Sequence, residues 1–119
     1  MDKIYRLCRL DEWQAAEAQG HLLPNADDQR DGFLHLSTAE QVAITARKYY
    51  AQVPDLFLLG ISMTAVEPIL RWEASTSGEV YPHAYGEVPV SAVLFAKPVP
   101  RYQGQYQFTK EIFTKEIFE

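Results

Sequence analysis

A single cysteine, Cys8, stands in the 119-residue sequence. One thiol cannot close an internal disulfide, so the chain reads as a protein of a reducing compartment. No apolar run follows Met1-Asp2-Lys3, so nothing there resembles a secretory signal. The longest apolar stretch, Leu56 to Met63, is far below the ~20 residues that a membrane span needs. Basic charge is scarce as well. Eleven Lys and Arg face sixteen Asp and Glu, for a net charge of −5. Phosphate affinity is carried mainly by Lys and Arg, which argues against a nucleic-acid-binding surface. A small nucleotide remains compatible, because it needs only one or two local positive groups. The expectation is a soluble, cytoplasmic protein with neither membrane nor nucleic acid as partner.

The usual catalytic signatures are missing too. His21, His35 and His83 are scattered, with no HExxH and no CxxC, so no dedicated metal site is expected. There is no GxGxxG, no phosphate-binding P-loop, and no serine in a GxSxG elbow. Cys8 reads as a buried, inert thiol rather than a nucleophile.

What is present suffices for one core. The hydrophobic fraction of 47% and charged fraction of 23% are ordinary globular values. One α+β domain is expected over residues 1–107. The tail 108–119 repeats FTKEI in tandem. Its five-residue period fits neither helix nor strand, which predicts an appendage outside the core.

Along the chain, Ile4 to Cys8 alternates as a first strand. Asp11 and Gln14 suggest a capping box for a helix that stops at Gly20. Residues 21–31, "HLLPNADDQRD", read as a polar loop. Gly32 to Leu36 reads as a second strand, and Ser37 with Glu40 as the capping box of a helix over about residues 38–52. Val42, Ala46, Tyr49 and Tyr50 give that helix an apolar face. Leu56 to Met63 has the near-continuous apolarity of a central strand. "ILRWEA" is a further strand, "VYPHAYGEVPV" an ordered loop or broken strand, and Val93 to Ala96 the last strand.

Three places could carry chemistry. In "GFLHLS" the alternation sends Leu34 and Leu36 to a core face and Phe33, His35 and Ser37 to the other. Ser37 is explained as a cap alone; His35 is free to donate, accept or anchor a ligand. In "LRWEA", Arg71 and Glu73 share a face, and in "YPHAYG" His83 lies between two tyrosines in a constrained segment. Arg6, finally, sits inside a strand between Ile4 and Cys8, and its burial would demand a carboxylate or a phosphate.

The order "DGFLHLSTAEQ", "RWE", "PHAYG" resembles the bacterial domain-of-unknown-function family numbered 952. Its members read DGFxHLSTxxQ, a helix, an apolar strand, WE and PHxYG, and the match runs from about Ile4 to Val99. The resemblance implies a fold similar to the ADP-ribosyltransferases, with helices packed on small, mostly antiparallel sheets flanking a cleft that grips NAD. Those enzymes place an Arg or His on the first strand, a Ser or Tyr at a strand-to-helix junction, and a catalytic Glu late in the chain. Arg6 matches the first by placement, and Ser37 or Thr38 the second. Glu73 and Glu87 are the candidates for the third, though neither stands in an ExE or QxE motif. The implied ligand-binding set is Arg6, His35, Ser37, Thr38, His83 and Tyr85, with NAD as substrate. A non-catalytic module binding a small ligand or a protein is the competing expectation.

Overall fold

The computed structural model describes residues 2–114. The chain runs β1 (Lys3–Arg9), α1 (Leu10–Gln19), α2 (Ala26–Asp31), β2 (Leu34–His35), α3 (Ala39–Tyr49) and β3 (Leu56–Ser62). A single turn α4 (Met63–Val66), β4 (Leu70–Ala74), β5 (Val80–Ala84), β6 (Val93–Pro98) and a small ribbon of β7 (Arg101–Tyr102) and β8 (Gln105–Tyr106) follow. All strand pairs are antiparallel, so this is the mixed helix-and-sheet, α+β architecture that the sequence implies.

Two three-stranded sheets organise it, ordered β1-β3-β6 and β2-β5-β4. β1 is buried on both faces from Ile4 to Cys8, Arg6 included. Ile4 and Cys8 join Leu34, Leu36, Leu59, Ile61 and Ala84 in a core between the sheets. Tyr5 and Leu7 point the other way, into a second core roofed by Val42 and Ala46 of α3. Mid-strand Gly60 leaves room for the Phe95 ring; an added Cβ would come within 2.4 Å of it.

Several local expectations are corrected. α1 is capped at Arg9, not Asp11: the Arg9 N–H donates to Glu12 Oε1 at 2.8 Å, and the helix springs directly from β1. It does end at Gly20, whose φ of 92° suits glycine. The "loop" 21–31 contains α2, opened by an Asn25–Asp28 capping box: Asp28 N–H donates to Asn25 Oδ1 at 2.9 Å and Asn25 N–H to Asp28 Oδ2 at 2.8 Å. Ser37 does not cap α3. Its N–H and C=O both pair with Tyr5, at 2.8 Å each, stitching the two sheets together. The cap therefore moves to Thr38, whose N–H donates to Gln41 Oε1 at 3.0 Å, and α3 ends at Tyr49 rather than near residue 52.

"VYPHA" is a regular strand, and a central one. Leu36 N–H donates to the Pro82 carbonyl at 3.2 Å, but proline has no N–H to return the bond. The ladder stops there on one side, and on the other Gly32 is taken up as the C-cap of α2, so β2 is two residues long instead of five. Finally, the first FTKEI copy, residues 108–112, reaches the core: Ile112 is buried beneath α3 with Tyr5 and Leu7, and Phe113, which opens the second copy, packs edge-on against Tyr5. The rest of the second copy and the two residues after it, 115–119, lie outside the described residues.

Candidate functional site

The faces of β2 and β5 that turn away from the core form one wall of a cleft of about 540 Å³. α2 supplies Asp27, Arg30 and Asp31 to its rim, α3 supplies Thr45, Lys48 and Tyr49, and the turn after β4 supplies Ser75 and Ser77. Alternation along β2 does what the sequence implies: Leu34 and Leu36 enter the core, whereas Phe33, His35 and Ser37 border the cleft.

His35 is held by two carboxylates. Its Nδ1 lies 2.7 Å from Asp28 Oδ1 and its Nε2 2.9 Å from Asp31 Oδ2. An ionised carboxylate only accepts, so both ring nitrogens must donate and the ring is an imidazolium. The hydrogen bond to Asp28 is the main reason its pKa is raised, against the opposing effect of burial. Asp28 is itself 2% exposed and collects five donors. Burial alone would push its carboxyl up, but the hydrogen bonds from His35 and Arg6 outweigh it and hold the group well below the usual range. Arg6 supplies the shortest contact, Nη2 donating to Asp28 Oδ2 at 2.6 Å, and its two terminal nitrogens also donate to Asp28 Oδ1 and to the carbonyls of Leu23 and His35.

His83 is arranged differently. Its Nδ1 lies 2.7 Å from Glu73 Oε1, and the Tyr85 hydroxyl donates to that same oxygen at 2.8 Å. The hydrogen bonds from His83 and then Tyr85 hold Glu73 below the ordinary carboxylate range. Strand register explains the meeting. Arg71 faces His83 and Glu73 faces Tyr81, so Glu73 and His83 are diagonal neighbours on one sheet face. Phe33 lies over the His83 ring, with centroids 3.9 Å apart and planes 20° from parallel. The Arg71 guanidinium covers the Tyr85 ring from 4.6 Å.

Of the residues expected at the site, His35, Ser37 and His83 line the cleft. Glu73 and Tyr85 stand behind His83 rather than on the lining. The other three lie off the cleft lining. Arg6 is buried against Asp28, one layer behind His35, and the carboxylate its burial demanded is the one it found. Thr38 is spent as the α3 cap. Glu87 is 77% exposed and lies 3.8 Å from His21, outside the cleft lining. Sequence reasoning missed Asp28 and Asp31, although Asn25-x-x-Asp28 carried a capping signal. Cys8 behaves as expected, with burial pushing its thiol up to about 12. Among the described residues no group of His, Cys, Asp or Glu is arranged to hold a metal ion, and no helix is long and apolar enough to cross a membrane.

A family model described as "Protein of unknown function (DUF952)" matches residues 7–96. The crystal structure of protein CC0527 from Caulobacter crescentus is similar, with a TM-score of 0.86 at 35% identity over 92% of this chain and 97% of that one. The solution structure of the same Caulobacter protein gives a TM-score of 0.77 at 36% identity, over 89% and 91% of the two chains. No curated protein matches.

Proposed function

The chain belongs to the DUF952 family of proteins of unknown function, and within that family we propose that its cleft binds NAD or a related nucleotide between two small sheets, in the manner of ADP-ribosyltransferases. The observation that carries this reading is the Phe33–His83 stack bordering a cleft that also offers cations and carboxylates. A cleft of about 540 Å³ falls within the range of about 300–1,000 Å³ typical of small-molecule sites. Tyr49, Tyr81 and the stacked rings provide flat apolar surface for a heterocycle. Asp27 keeps one carboxylate oxygen for a ribose hydroxyl, its other oxygen accepting from Arg30, and Lys48 can meet phosphate oxygens.

The roles first expected shift accordingly. With Arg6 committed to Asp28, and Arg30 to Asp27 and Asp31 at 2.9–3.1 Å, phosphate contact falls to Lys48 at the rim. Ser37 keeps its place at the cleft floor, its Oγ 3.5 Å from Thr45 Oγ1. Glu73 is the one of the two candidate glutamates that touches a cleft histidine, His83.

A second reading, a binding module without turnover, is favoured by one observation: Glu73 Oε1 already accepts from both His83 and Tyr85. Calorimetric titration with NAD, ADP-ribose and nicotinamide, followed by chromatography of the incubated NAD, separates the readings. Saturable binding with release of nicotinamide supports a transferase-like site. Binding with NAD intact supports the module. Absence of heat from all three at millimolar ligand would sink the nucleotide reading.

A further inference from the structure

The two cleft histidines are in opposite chemical situations. Both nitrogens of His35 meet carboxylates, so that ring has no lone pair to offer. His83 meets a carboxylate at Nδ1 alone, and its Nε2 has no hydrogen-bond partner among the described residues. No buried side-chain nitrogen or oxygen among them lacks a partner. Unpartnered, Nε2 must therefore reach water, and the ring borders the cleft. Only 10% of the His83 side chain is exposed.

We propose that His83 Nε2 is the proton-accepting atom of the cleft, taking a proton from a hydroxyl or water held there, with Glu73 and Tyr85 as positioning residues. The proposal rests on the cleft being a ligand site. In the step, the O–H bond breaks, its proton forms an N–H bond at Nε2, and the electron pair stays on the oxygen as a nucleophile. The charge the ring gains is matched by the Glu73 carboxylate at Nδ1. Glu73 fixes the tautomer that leaves the Nε2 lone pair free. The Tyr85 hydroxyl fixes the accepting oxygen, and the Phe33 stack fixes the plane of the imidazole. This is the orienting logic by which a carboxylate prepares a histidine base.

Diethyl pyrocarbonate tests the assignment on the full chain, because it acylates an unprotonated imidazole nitrogen, and peptide mass mapping locates the adduct. His83 should react about tenfold faster than His35 or more, since only His83 presents a lone pair, although the His35 ring is the more exposed at 37%. Reaction of His35 at an equal rate, or an unreactive His83 while His21 is modified, would overturn the proposal. Nitrogen NMR of the neutral His83 ring tests the positioning role. The proton should sit on Nδ1 in the native chain and in Glu73→Gln, whose amide oxygen still accepts, and shift toward Nε2 in Glu73→Ala. A tautomer unchanged in Glu73→Ala would remove Glu73 from the role. Repeating the acylation with NAD separates the two claims. Slower modification of His83 supports both, whereas unslowed modification removes the nucleotide reading and leaves the proton acceptor standing.

Discussion

Asp28 Oδ1 lies 2.7 Å from His35 Nδ1 and accepts the His35 backbone N–H as well, at 3.0 Å. One carboxylate thus sets both the side chain and the backbone of the residue that opens the cleft. Behind it, Arg6 balances the charge from β1. The cleft's cationic histidine is therefore built into the fold by a chain of contacts running from the first strand through α2 to β2.

Asp28→Asn should be strongly destabilising. It removes the charge facing a buried Arg6, and breaking a buried pair from one side costs about 3–5 kcal/mol. Urea unfolding of the variant beside the native chain measures it; a loss below about 1 kcal/mol, the worth of an exposed pair, would show that the pair is solvated.

The pH dependence of stability follows from the two shifts. Asp28 is lowered from 3.8, so its contribution is present above that pH and is lost as pH falls through the folded-state value. His35 is raised from 6.5, so its contribution is whole below 6.5 and is lost as pH rises through the raised value. His35→Gln should flatten the alkaline fall, read as the difference between urea midpoints at about pH 5 and about pH 9.

Gly60→Ala should destabilise by about 1–3 kcal/mol, because the new methyl overlaps the Phe95 ring and overpacking is costly. A thermal melt unchanged from the native chain would mean that β6 shifts freely.

Ile112→Ala should cost about 2–5 kcal/mol, since Ile112 is 6% exposed in the core beneath α3. Chemical denaturation checks it. A neutral result would return the first FTKEI copy to the status of an appendage.

Lys48→Ala should weaken NAD binding roughly tenfold, the worth of one charged hydrogen bond, while Glu87→Gln should leave it unchanged. Calorimetry reads both. Equal losses in the two variants would place the ligand elsewhere.

Much of this was legible in the residues, and the boundary is physical. Period-two alternation placed Leu34 and Leu36 inside and His35 outside, and the apolar run at Leu56 announced a central strand, because these depend on nearest neighbours along one chain. Arg6 announced that it needed an anion, but which anion was a tertiary matter: Asp28 is 22 residues away. Ser37 had the look of a cap, and only its pairing with Tyr5 in another sheet moved the cap to Thr38. The Glu73–His83 contact depends on the register of β4 against β5, which no single strand encodes. α2 was hidden by its own composition, since Asn and Asp favour turns as readily as they cap helices.

The central claim is that the cleft bordered by His35, Ser37 and His83 takes up a nucleotide. Titration of the isotope-labelled chain with NAD, followed by amide and imidazole NMR shifts, tests it most directly. The account predicts saturable shifts centred on those three residues and on Lys48, with Glu87 and His21 unmoved. Resonances at the three that stay still at millimolar NAD, or shifts confined to the His21–Glu87 side, would contradict it.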